Sequence, residues 1–126
     1  MKIILQIIIY LLICVNSNCQ IYINTKAVLR SEISSYVGCG ILMYSEKAKF
    51  KIIDDNFKVN NKEFIFYILC PADFGENFWK INSTYILKYS TDTSIINKSC
   101  VNKFDRFDKK LKIFGVIFEA SKIPNK

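Results

Sequence analysis

Polar and apolar residues alternate between Lys47 and Ile52. Lys47, Lys49 and Lys51 point one way; Ala48, Phe50 and Ile52 point the other. A period of two suits a half-buried strand, because successive side chains leave opposite faces of a sheet. A strand is therefore predicted over residues 47–54. Asp54-Asp55-Asn56 and Asn60-Asn61-Lys62 are turn formers that connect it to a second strand over 63–70. That run, Glu-Phe-Ile-Phe-Tyr-Ile-Leu-Cys, is apolar almost throughout, as expected of a strand covered on both faces. Pro71 then ends it, since proline has no amide hydrogen to extend a ladder.

The same reading extends along the chain. Residues 20–24 form an extended lead-in, and 25–34 a strand with Ala27, Leu29 and Ile33 on one face. Gly38 and Gly40 flank Cys39, which points to a bend. Residues 41–44 read as a short strand, 72–77 as a loop, and Asn82-Ser83 as a turn. The strand over 84–89 turns Tyr85, Leu87 and Tyr89 to one side. Residues 90–103 are polar, with Ile95-Ile96 as a short paired piece. Residues 104–110 suit one helical turn, and 111–118 the final strand with a bulge at Gly115. The barrel domain is expected over 20–120 and a loose tail over 121–126. About five short strands, with no long helix, predict an all-β fold. Strand count and length favour a five-stranded barrel of the oligonucleotide/oligosaccharide-binding (OB) type, with a small β-sandwich as the alternative.

The N-terminus changes the setting. Met1-Lys2, an apolar run from Ile3 to Val15 and polar Asn16-Ser17-Asn18-Cys19 follow the order of a secretory signal peptide over residues 1–19. The apolar run is shorter than the ~20 residues that cross a membrane, so no transmembrane span is expected once the leader is removed. The expected location is extracellular or periplasmic. Cleavage after Cys19 starts the mature chain at Gln20. Cleavage before it leaves a lipid-anchored Cys19 on the cell envelope, and with that a scaffolding role.

The chain has 126 residues and a net charge of +7. Loss of Lys2 with the leader leaves about +6. The lysines are spread along the strands like a solvated face, with no compact basic run, so nucleic acid is not expected as a partner. Outside the cytosol, Cys39, Cys70, Cys100 and, where retained, Cys19 are disulfide candidates. The bend at Cys39 and the strand end at Cys70 suit a bridge of about 3–4 kcal/mol in the chain-entropy model. A buried free thiol is the competing state.

Several segments, in order over residues 25–90, resemble small secreted netrin-like domains: Ala27-Val28-Leu29-Arg30, Lys49-Phe50-Lys51-Ile52-Ile53, Cys70, and the run from Phe78-Trp79-Lys80 through Tyr85-Ile86-Leu87. The resemblance implies an OB-type barrel. The last run, with Gly38-Cys39-Gly40 and Cys70-Pro71, also resembles small secreted or lipoprotein-like bacterial proteins. Among netrin-like domains, the tissue inhibitors of metalloproteinases bind a protease's zinc through an N-terminal Cys-x-Cys. Cys19-Gln20-Ile21 lacks the second cysteine, so that activity is not carried over.

The chain has no histidine, which removes Ser-His-Asp and Cys-His nucleophile systems and most zinc sites. Asp54-Asp55, Asp73 with Glu76, and Asp105 with Asp108 are read as loop carboxylates in water. No catalytic residue, cofactor or metal is expected. Asn82-Ser83-Thr84 and Asn97-Lys98-Ser99 match the N-glycosylation pattern. Phe74, Phe78, Trp79, Tyr85 and Tyr89 are candidates for an aromatic patch, with core packing as the competing role. Phe74, Phe78, Trp79 and Lys80 are the candidate binding surface of a non-enzymatic module for an extracellular or periplasmic macromolecule.

Overall fold

The computed structural model describes Ile4 and residues 21–33, 39–40, 42–101 and 112–124. Five long strands build the fold: β1 (Ile23–Leu29), β2 (Tyr44–Ile52), β3 (Glu63–Leu69), β4 (Thr84–Ser90) and β6 (Ile113–Lys122). A two-residue strand, β5 (Cys100–Val101), runs parallel to the start of β2. Two short 3-10 turns, η1 (Pro71–Phe74) and η2 (Ser94–Lys98), follow β3 and β4. No α-helix lies among the described residues between 21 and 124.

The strands follow the order β1-β4-β6-β3-β2, and β2 pairs again with β1, so the sheet closes into an all-β, five-stranded barrel. Closure rules out the alternative of two packed sheets. All long-strand pairs are antiparallel except β3 with β6. β6 carries the seam. Val116 and Ile117 pair with Tyr67 and Ile68 on one side and with Ser90 and Tyr89 on the other. Register shifts lie beside Phe114 and Phe118, which lets one strand bend from β3 to β4. Gly115 sits at the first, as its sequence suggests. A Cβ there would overlap the Ser90 carbonyl oxygen and crowd the Tyr89 ring, so only glycine lets the two backbones approach.

Alternation becomes an interior. Ala27, Leu29, Ala48, Phe50, Ile52, Phe66, Ile68, Tyr85, Leu87, Tyr89 and Ile117 are buried together. Small Ala27 and Ala48 leave room for the rings, as the inside of a narrow barrel requires. Phe50 meets Phe66 edge-on at 5.7 Å, and Phe66 meets Tyr89 at 5.2 Å. Lys47, Lys49 and Lys51 stay half-exposed on the outer face. A second cluster lies outside the barrel wall, where η2 lays Ile96 over Leu69 and Val116.

Four boundaries differ from expectation. β1 starts at Ile23 and stops at Leu29, because the Arg30 amide turns to the Lys49 carbonyl and Asn82 bonds to Leu29 at the head of β4. Tyr44 opens β2 rather than closing a separate strand. Within the stretch expected as polar loop, Ile95 and Ile96, read as a short paired piece, lie in the 3-10 turn η2, and the pairing falls instead to β5. Ser121 and Lys122, expected in a loose tail, pair with Ile86 and Tyr85, and the Ile123 amide bonds to the Thr84 carbonyl. β6 needs this length to reach the start of β4. The expected helical turn over 104–110 lies outside the described residues.

Candidate functional site

β3 ends where the chain must reverse. Cys70 adopts a left-handed backbone (φ 50°, ψ 55°), and Pro71 begins η1 without an amide to offer. That conformation costs a non-glycine residue about 1–2 kcal/mol and needs outside support. Two anchors supply it. The Cys70 amide donates to the Tyr44 carbonyl at 2.7 Å, and Cys70 is disulfide-bonded to Cys39. The expected Cys39–Cys70 bridge is therefore present. Cys39 is fastened in turn by its amide to Asp73 Oδ1 at 3.2 Å. Both sulfurs and the Asp73 carboxylate lie within 4.8 Å of one another, but bridged sulfurs are not thiolate ligands. Cys100 lies in β5 opposite Tyr44. Cys19 is outside the described residues.

From this anchored corner, η1 and the following loop cover the barrel end. Phe74, Phe78 and Trp79 are half-buried and pack onto the core from above. Phe74 lies 5.3 Å from Phe78 and 4.9 Å from Trp79, measured between ring centroids. Phe78 and Trp79 stand nearly perpendicular, at 86° and 4.9 Å. The Trp79 indole N–H donates to the Pro71 carbonyl at 3.1 Å. Lys80 is exposed.

Tyr85 holds the loop down. Its ring is buried against Phe78 and Trp79, while its hydroxyl accepts the Lys80 amide at 2.7 Å and donates to the Phe78 carbonyl at 2.8 Å. One side chain thus satisfies both backbone groups that flank Trp79. Burial raises the Tyr85 pKa, partly offset by the Lys80 amide. Tyr89, also buried, is pushed up to about 12, by burial first and by the Asp54 charge second. Both tyrosines, candidates for the exposed aromatic patch, belong to the core because their strand positions face inward.

A cleft of about 480 Å³ opens beside this cluster. Phe78 and Trp79 line it, with Ile33, Pro71 and Ala72 as further apolar wall and Glu76 among its polar groups. Its size falls within the range of small-ligand sites. The structure thus brings Phe74, Phe78 and Trp79 together, with Phe78 and Trp79 at the cleft. Ile33 was not among the candidate residues, and Glu76 reads from the sequence only as a loop carboxylate. Ile33 lies beyond the end of β1, and no local pattern marks its place at the cleft. The loop carboxylates Asp54 and Asp55 serve backbone and side-chain amides of their own turn. Asp54 Oδ1 accepts the Asn56 amide at 3.1 Å, and Asp55 Oδ1 accepts Asn60 Nδ2 at 2.9 Å. Asp105 and Asp108 lie outside the described residues. Of the glycosylation-type asparagines, Asn82 is exposed and accepts Arg30 Nη1 at 2.7 Å; Asn97 is exposed in η2. No family model matches the chain, and neither the curated proteins nor the solved structures contain a match.

Proposed function

We propose that the chain is an exported, non-enzymatic binding module whose site is the cleft beside Trp79. One observation carries the reading: an aromatic-lined cleft of about 480 Å³ on a closed barrel. A binding loop gains from being held in shape before its partner arrives, because ordering it on binding costs affinity. Here the loop is held at both ends, by the Cys39–Cys70 bridge and by the Tyr85 hydroxyl. The absence of histidine from the chain and the turn roles of Asp54 and Asp55 support binding over turnover. The partner is an extracellular or periplasmic molecule that presents a group small enough for the cleft.

The connectivity supports assignment to the OB type, and with it a netrin-like domain. β4-β1-β2-β3 lie side by side in that order, the arrangement of a Greek key, and β6 fills the remaining gap. The disulfide at the end of β3 accords with an oxidising compartment.

The test compares three forms of the mature protein immobilised against native extracellular material. They are the unchanged chain, Phe78→Ser in the cleft, and Ile86→Ser on the exposed outer face of β4. All three are first checked for a native near-ultraviolet dichroism spectrum. A component retained by the unchanged and Ile86→Ser forms, and lost by Phe78→Ser, places binding at the cleft. Equal retention by all three, or none by any, overturns the reading.

A further inference from the structure

We propose that the cleft takes an organic ammonium group carried on a short apolar body. This inference rests on reading the cleft as the binding site. Its walls have the two parts such a ligand needs. Phe78 and Trp79 both line the cleft, packed edge-to-face on each other with centroids 4.9 Å apart and planes at 86°. An aromatic ring attracts a cation placed over its face within about 6 Å, and quaternary ammonium groups are the usual beneficiaries. Glu76 stands on the same lining, exposed, with no ion-pair partner among the described residues.

Charge placement points the same way. The chain carries 18 lysines and arginines against 11 acidic residues, yet among the described residues the cleft's single charged liner is a carboxylate. Lys80 follows Trp79 directly but lies off the lining. An anionic ligand would meet Glu76 with no compensating cation in the wall. Asn77 completes the polar side of the lining, and the Trp79 indole N–H is already committed to Pro71. Ile33, Pro71 and Ala72 form an apolar wall for the rest of the ligand.

Trp79 is the only tryptophan, so its emission reports directly on the cleft. The mature protein is titrated with choline and with its uncharged carbon isostere, dimethylbutanol. We expect saturable binding of choline, about tenfold tighter than the isostere, which is about 1.4 kcal/mol. Glu76→Gln should weaken choline about fivefold and flatten its salt dependence, because a screened charge pair is lost. Phe78→Leu keeps an apolar wall but removes a ring, and should also weaken choline several-fold. Phosphatidylcholine vesicles separate the sources: protein that sediments with them takes the head group from lipid, and protein that binds only free choline takes a soluble ligand. Equal affinity for the isostere overturns the ammonium assignment while leaving the cleft a binding site. No saturable response to choline or to vesicles overturns it too, and the Phe78→Ser retention result then decides separately whether the cleft binds anything.

Discussion

Tyr85→Phe isolates one hydroxyl. Phenylalanine keeps the buried ring against Phe50, Phe78 and Trp79, so packing is conserved and only the two polar contacts are lost. The Lys80 amide loses its acceptor at 2.7 Å and the Phe78 carbonyl loses its donor at 2.8 Å. Leaving a buried polar group unsatisfied costs about 1–3 kcal/mol. Lys80 is exposed, so its amide regains some water, and the two losses together should stay near the lower half of that range, about 1–2 kcal/mol. For a domain of this size that lowers Tm by about 5–15 °C. Urea unfolding followed by Trp79 emission gives the stability change. Hydrogen exchange gives its location: the Lys80 amide should lose protection while Leu87, inside β4, keeps it. A stability loss below about 0.3 kcal/mol, or a Lys80 amide as protected as before, would refute the clamp.

Three further outcomes follow from the same contacts. Replacing Cys39 and Cys70 together by alanine opens a loop with a sequence separation of 31 residues. In the chain-entropy model that costs about 3.7 kcal/mol, measurable as a drop in the urea midpoint. Gly115→Ala drives a methyl into the Ser90 carbonyl and should destabilise by about 1–3 kcal/mol, while alanine at exposed Glu119 on the same strand should change stability by less than about 0.5 kcal/mol. Tyr89 sets an alkaline limit. Its folded pKa of about 12 exceeds the ordinary 10.0, so its contribution is complete below pH 10 and is lost as pH rises from there towards 12. The urea midpoint should fall across that window, and Tyr89→Phe should flatten the fall.

The barrel wall was largely legible. Residues 47–52, 63–70 and 84–89 carry their faces in a period of two or in unbroken apolarity, and those faces are the buried ones. Cys39, beside Gly40, and the stop at Cys70-Pro71 read as the two ends of a bridge, and the disulfide joins them. What stayed hidden depends on distant partners. β1 stops at Leu29 because β4 begins at Thr84, and β6 runs to Lys122 because β4 lies there to receive it. Neither boundary has a local signature. The aromatic residues of the site were legible as a group, but Tyr85 reads only as a core position. Its hydroxyl reaches back over the Asn82-Ser83 turn to Lys80 and Phe78, a contact set by the loop's shape rather than by spacing.

The seam strand also orders events in time. Until β6 is in place, β3 and β4 each present a bare edge of unpaired amides and carbonyls, the kind that recruits strands from other molecules. A polypeptide delivered N-terminus first must leave those edges open until residues 113–122 arrive. A nonsense mutation ahead of Ile113 would therefore yield a sticky, self-associating fragment rather than a shortened version of the working protein.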